Sequence, residues 1–373
     1  MKLIMENWRK FTSESVITID ETQMQPKFLK EFILSEDLIE EDGDPQSLSL
    51  AELQEMKPEV VIAAYEEMKK NETSERVGAR VKRYRTLKSK LSDAELEMQG
   101  VEFDKKYGSP VLSNFFDTIK KITNAIFRTS YKTSKQKADQ TTQNYEQAVK
   151  DLKQIMIDSY TPLQRELFRA IGLFTGANYP TIRNPDKFNP KKANALKFIN
   201  DGIVDMFKPS KETYQKAKVV LQKLVQSKIK PVPVWRGLSM NEKSKTGGWA
   251  GLDAYKKGAT INVGNMSSFS TDKMVAYKDF MEGTFDSEQN QWGTVLHIPR
   301  LTRGADVDDF SRFEGSEKEI IVSGEFQIRK VEFHPKENYD QKQEITSLSH
   351  ALKTPNPPRS EEHVILVTLE EIR

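Results

Sequence analysis

Cysteine is absent from the 373 residues. Without thiols there are no disulfides, no thiolate zinc sites and no thiol redox chemistry, and the composition suits a reducing compartment. Histidine is scarce. The four present, His297, His334, His350 and His363, include no helical metal-ligand spacing, so no metal is expected. Long apolar runs are missing too: none reaches about 18 residues, and Met1 to Phe11 carries charges without an apolar segment, which predicts neither a signal sequence nor a membrane span. A dominant charge is also lacking. With 57 basic residues against 55 acidic ones, a net +2, no global field argues for nucleic acid or an anionic membrane, and partners must be read locally.

What is present changes character near residue 135. The length allows two or three domains and a sizeable core. Residues 1–135 are rich in Lys, Glu, Leu and Met, with helical spacing at Val77, Val81, Tyr84 and Leu87, and read as a helical N-terminal region. The polar stretch Thr129 to Thr142 lacks apolar periodicity and is the linker candidate, which makes residues 136–373 the second domain. Helices are expected over Tyr145 to Tyr160, Pro162 to Leu173 and Asn194 to Phe207. Ser210 caps another, whose apolar face is Tyr214, Ala217, Leu221, Leu224 and Val225. From Val232 onward short strands alternate with Gly and Asp turns. Ile320 to Val322 and Phe326 to Phe333 flank a turn at Ser323-Gly324, and Val364 to Leu369 ends the series. Helices first and strands later indicate an α+β fold.

Three islands carry chemistry: Trp235-Arg236-Gly237, Ser267-Ser268-Phe269-Ser270-Thr271 and Glu317-Lys318-Glu319-Ile320-Ile321. Taken singly, each reads as ordinary structure: a turn after a strand, a serine loop, a solvated charge run. Together they supply what cleavage of the nicotinamide bond of NAD requires. An arginine fork grips a pyrophosphate better than lysine does, which suits Arg236. Short hydroxyls orient a carboxylate without filling the pocket, a duty open to Ser268 or Ser270. On an extended chain Glu317 and Glu319 would face one side. One carboxylate, Glu319, would stabilise the ribosyl cation, and its like-charged neighbour Glu317 would take a proton from the acceptor.

These islands, in this order, resemble the arginine-serine-glutamate class of mono-ADP-ribosyltransferases, whose signatures are an aromatic-Arg-Gly strand, a Ser-x-Ser strand and a Glu-x-Glu loop. The segment Phe174 to Asn184 is similar to the aromatic-Thr-Gly segment that opens the helical half of the family's catalytic domain, so the resemblance covers about Asp158 to Phe333. It implies a helical half followed by a two-sheet β core, NAD as substrate, and Gly237 offering its backbone to the nicotinamide amide. The family's usual Ser-Thr-Ser is absent. Val275-Ala276 then falls where the family's next helix begins if the register is Ser268-Phe269-Ser270, which gives Ser268 the orienting role beside Ser270. Glutamate at the Glu317 position implies arginine as the acceptor. Other acceptors, water or another side chain, stay open, as do NAD-capped RNA as donor and an inactive packaged binding protein.

Met5 to Phe11 resembles the start of proteins from T-even-type tailed phages, whose ADP-ribosyltransferases of the Alt and Mod kind act on host RNA polymerase and other host proteins. This implies bacterial protein targets with exposed arginine, host RNA polymerase and translation proteins among them, and action in the host cytoplasm. Leu38-Ile39-Glu40 resembles a prohead-protease site, which would go with packaging in a virion and injection. The basic run Arg76 to Lys90 would suit phosphate backbones or an acidic partner but reads better as a solvated helix face. Gly247-Gly248-Trp249-Ala250-Gly251 lacks the ending of a phosphate loop and reads as a flexible loop beside the site. Trp249, Phe280 and Trp292 are aromatics more ordinary as core than as ring-stacking partners.

Overall fold

The computed structural model describes residues 47–107, 134–176, 178–194, 196–240, 255–264, 266–277, 292–311, 317–335, 343–346 and 362–372. Met5 to Phe11, Leu38 to Glu40, the Gly247 to Gly251 loop and Phe280 lie outside them. The chain divides into two compact units, Met1–Glu40 with Leu91–Glu146, and Glu41–Lys90 with Gln147–Arg373. The described part of the first, residues 91–107 and 134–146, is helical. The second unit holds all three islands and also residues 41–90, which the sequence reading groups with the region before 135. The polar stretch read as a linker is helical from Ser134 onward.

Helices open the fold: α1 (Leu50–Glu55), α2 (Pro58–Asn71), α3 (Ser74–Tyr107), α4 (Ser134–Ser159), α5 (Pro162–Thr175), α6 (Tyr179–Arg183) and, after a hairpin, α7 (Lys211–Leu224). Their starts follow from capping chemistry. Ser49, Thr161 and Ser210 each accept from a backbone N–H three residues on, and Glu52, Gln164 and Thr213 return the bond to the cap N–H, which satisfies donors otherwise orphaned at a helix start. The α7 face buries Tyr214, Ala217, Leu221 and Leu224 as the periodicity predicts, with Val220. It packs on α5, α2 and α1. At the last of these Lys223 Nζ donates to the carbonyls of Leu53 (2.6 Å) and Gln54 (2.9 Å), partners for a helix C-terminus.

The basic run on α3 is used partly inside the unit. Arg80 is buried and pairs with Glu72, Arg76 donates to the Ser159 carbonyl at 2.9 Å, and Arg83 meets Asp158 at 3.1 Å. The guanidiniums of these three therefore tie helices together and are not an open strip for phosphates.

Asn194 to Phe207 is not the expected helix. It forms a hairpin of β1 (Leu196–Asn200) and β2 (Ile203–Phe207). The turn is Asp201-Gly202, with φ of 43° and 79°, the pairing of left-handed residues that a two-residue hairpin of matching twist demands. β2 is buried along its whole length, and a strand buried on both faces shows no period-two alternation to betray it.

The remaining strands form one nine-stranded sheet: β3 (Lys228–Met240), β4 (Thr260–Asn262), β5 (Ser267–Ser270), β6 (Trp292–Arg303), β7 (Ala305–Asp306), β8 (Glu319–Val322), β9 (Glu325–Pro335), β10 (Gln343–Ile345) and β11 (His363–Glu371). Their order is β10-β9-β11-β6-β3-β5-β8-β7, with β4 also on β9. β8 and β9 are consecutive in the chain yet four strands stand between them in the sheet, so the sheet must fold over into two arms. The fold happens at glycines. β4 runs on into β5 through Gly264 (φ 90°), and β8 into β9 through Gly324 (φ 113°). The two corners are bonded to each other, Val263 N to Gly324 O at 3.0 Å and Gly324 N to Gly264 O at 3.3 Å. Bends of this kind let strands pass from one layer to another. Val234, Phe269, Leu296 and Ile320 from one arm and Phe326, Val331, Phe333 and Val367 from the other meet in a single buried core. The protein is α+β, with helices followed by this folded sheet.

Candidate active site

Alternation sets the faces of the central strands. Phe269 on β5 and Ile320 and Val322 on β8 enter the core; Ser268, Ser270 and Glu319 must therefore point to the opposite face. The ladder places Ser270 opposite both Trp235 on β3 and Glu319 on β8. The three islands, separated by scores of residues, thus become neighbours across three adjacent strands.

The Arg236 guanidinium donates from Nη1 to the Ser268 carbonyl at 2.5 Å. Burial, then the charge of Arg183, lowers its pKa to about 10, so it remains a cation at neutral pH, and it lies close enough to Glu319 for the two charges to act on each other. Glu319 is 3% exposed. Burial pushes its pKa up, against hydrogen bonds from the Ser268 and Ser311 hydroxyls and the Arg236 charge, all of which favour the carboxylate; Asp308 adds to the rise. The Ser311 bond spans 3.4 Å from Oγ to Oε2.

The two serines do different things. Ser268 lies near enough to the Glu319 carboxyl for its hydroxyl to favour the charged form, whereas Ser270 Oγ donates to the Glu317 carbonyl at 2.5 Å and accepts from Asp272 N at 2.9 Å. Ser270 therefore pins the approach to β8. Glu317 is half-buried and precedes the strand. Lys318 between the two glutamates has φ 47°, a left-handed conformation that costs a non-glycine residue about 1–2 kcal/mol. The expectation that an extended chain puts Glu317 and Glu319 on one face does not hold, because the chain turns at Lys318. Lys318 is tied down by Asp272 at 3.2 Å and by Thr271 N on its carbonyl at 3.1 Å.

Trp235 stacks on His297 with ring centres 5.0 Å apart and planes at 1°. Burial and then Lys273 push the His297 pKa down to about 4, past the opposing pull of Glu332, so a neutral imidazole backs the arginine-bearing strand. Gly237 is buried and pairs with Val295. A helical turn covers residues 273–277, including Val275-Ala276.

One residue escapes the sequence reading. Arg183, at the end of α6, stacks over the Tyr179 ring at 5.0 Å and donates from Nε (3.0 Å) and Nη2 (2.6 Å) to the Met266 carbonyl. Two guanidiniums thus sit on the carbonyls of Met266 and Ser268, two residues apart on one strand edge, a concentration of positive charge that fits a pyrophosphate. The signal lay inside the Phe174 to Asn184 segment already singled out, but a lone arginine on a short helix has no spacing to mark it.

A cavity of about 700 Å3 opens beside the Glu317 to Glu319 turn, lined by Tyr65, Lys69, Lys228, Asp306, Asp308 and Lys318 among others. Neither Arg236 nor Glu319 lines it. The arrangement at Arg236, Ser268 and Glu319 is a half-buried cation, a hydroxyl and a buried carboxyl group on adjoining strands. Chemically it can hold an anionic group and stabilise a developing positive charge next to it.

No family model and no curated sequence matches the chain. Among solved structures it is similar to Vis toxin, an ADP-ribosyltransferase from Vibrio splendidus, with 16% identity over 56% of this chain and 73% of that one and a TM-score of 0.33. Plx2a, an ADP-ribosyltransferase toxin from Paenibacillus larvae, gives 14%, 56%, 87% and 0.32. The type III effector XopAI from Xanthomonas axonopodis pv. citri, in a form lacking 70 N-terminal residues, gives 12%, 75%, 97% and 0.31. Likenesses at these TM-scores establish neither a shared fold nor a shared activity.

Proposed function

We propose that the protein transfers ADP-ribose from NAD to arginine side chains of other proteins, with nicotinamide as the leaving group. The observation that carries this reading is the meeting of Arg236, Ser268 and Glu319 across β3, β5 and β8, where Arg236 holds the Ser268 carbonyl and its charge, with the Ser268 hydroxyl, favours the Glu319 carboxylate. Arg236, with Arg183 beside it, grips the pyrophosphate. The Gly237 backbone receives the nicotinamide amide. The bond from the ribose anomeric carbon to the nicotinamide nitrogen breaks, its electron pair leaving with neutral nicotinamide, and Glu319 stabilises the cationic ring left behind. A guanidinium nitrogen of the acceptor then bonds that carbon, and Glu317 accepts the proton it sheds. The targets we propose are bacterial proteins with exposed arginines, RNA polymerase and translation proteins among them. Among the described residues no helix is long and apolar enough to cross a membrane.

The test follows nicotinamide release and protein labelling separately, with labelled NAD and a bacterial lysate. Glu319→Gln should abolish both. Glu317→Gln should abolish labelling and leave hydrolysis measurable. Equal effects of the two substitutions on both readouts would refute these roles, and release without labelling by the wild-type protein would make it an NAD hydrolase.

A further inference from the structure

Glu319 is held from outside the three islands. Ser311, fully buried, approaches it from the turn that follows β7, and Asp308 in the same turn is close enough for its charge to act on the carboxyl. The stretch 305–311, β7 with this turn, lies within the resembling segment, but α2, which grips it, does not. The Tyr65 hydroxyl on α2 donates to the Asp306 carbonyl at 2.6 Å. One turn along the helix, Lys69 Nζ meets the carboxylates of Asp306 and Asp309, each at 3.1 Å. The Tyr65 ring sets its edge to Phe310 at 5.7 Å between centroids, and Tyr160 does the same at 6.5 Å. From the other side Asn200, at the end of β1, donates to the carbonyls of Asp309 (3.3 Å) and Ser311 (3.4 Å).

These contacts are built to last. Tyr65 is 2% exposed, and burial, reinforced by Asp306, Asp309 and their acidic neighbours, keeps its phenol pKa well above the ordinary value, so it stays a donor. Burial tends to discharge Lys69, but the Asp306 and Asp309 charges outweigh it and raise the pKa. A catalytic group performs only as well as the groups that fix its rotamer.

We propose that α2 is a positioning element of the active site: Tyr65 and Lys69 fix the 305–311 turn, which with Asn200 presents the Ser311 hydroxyl to the Glu319 carboxylate, opposite the hydroxyl of Ser268. The inference rests on Glu319 being the charge-stabilising carboxylate proposed above. Tyr65, Lys69 and Ser311 are positioning residues, none of which touches substrate.

The test has an arm that needs no activity. In protein labelled with carbon-13 at glutamate carboxyls, the Glu319 signal is assigned by its disappearance in Glu319→Gln and titrated. Ser311→Ala should move its midpoint upward, because a bond to the charged form is lost, and Tyr65→Phe and Lys69→Met should move it in the same direction. Val61→Ala, a buried α2 residue that makes none of these contacts, should lower Tm and leave the midpoint alone. In the catalytic arm, Ser311→Ala should lower kcat for NAD hydrolysis about ten-fold and Tyr65→Phe about three-fold, with KM within about two-fold of wild type. Folded Tyr65→Phe and Lys69→Met proteins with an unmoved titration would overturn the proposal, as would equal shifts with Val61→Ala. A shifted titration in a protein that releases no nicotinamide would sustain the brace and sink the activity.

Discussion

Arg236 offers the sharpest prediction at the scale of a residue. Its fork must hold the Ser268 carbonyl and an incoming anion together, which a lysine's point charge cannot reproduce. Arg236→Lys should fold normally by circular dichroism and lose NAD cleavage by about 100-fold or more. The serines should separate too. Ser268→Ala should depress hydrolysis and transfer alike, whereas Ser270→Ala, which frees the Glu317 backbone, should depress transfer more. Glu319 carries a stability signature with a definite sign. Its folded-state pKa lies above the unfolded one, so the stabilising contribution of the carboxyl is complete below the ordinary value of 4.5 and is lost as pH rises through the folded value. Glutamine cannot ionise and escapes that loss. Glu319→Gln should therefore raise Tm at neutral pH, and thermal melts below pH about 4 should show no difference. Of these residues Arg236, Ser268 and Glu319 were readable from the sequence, because an island on a strand needs only its ladder partner to become a neighbour. The turn between Glu317 and Glu319 was not, since a left-handed lysine can be seen only once the backbone is traced.

At the scale of elements, glycines with positive φ decide where strands turn. Gly324 has open space for a methyl group, so Gly324→Ala should cost about 1 kcal/mol in denaturant unfolding, from backbone conformation alone. Gly202→Ala should cost more, on the order of 2–4 kcal/mol, because its Cβ would lie 2.8 Å from the backbone of Arg80 and Val81 on α3 as well as adopting φ 79°. A smaller loss at Gly202 than at Gly324 would contradict this account. The turn at Ser323-Gly324 was plain in the sequence from the apolar runs flanking it. The Asp201-Gly202 turn is just as strongly marked, but continuous burial on β2 imitates the inner face of a helix and hides it.

For the molecule as a whole, the sequence points to helices first and strands later, and the described residues have that α+β combination. It does not say which helices belong with the strands. Val61, Tyr65 and Met68 on α2 are at most 2% exposed, and they pack in the unit that contains Glu319, so a chain begun at residue 140 should lose the cooperative unfolding transition of the full chain, as measured by calorimetry. Composition could not reveal this, since a lysine- and glutamate-rich helix shows its outer face in the count and its inner face only in the packing.

The strand order has a consequence for synthesis. β11, residues 363–371, is the strand that joins β6 to β9, parallel to one and antiparallel to the other. The two arms have their central bridge only once those residues have been made, after β6 and β9. A nascent chain still short of them carries every island and an open sheet, so whatever chemistry the site performs waits for β11.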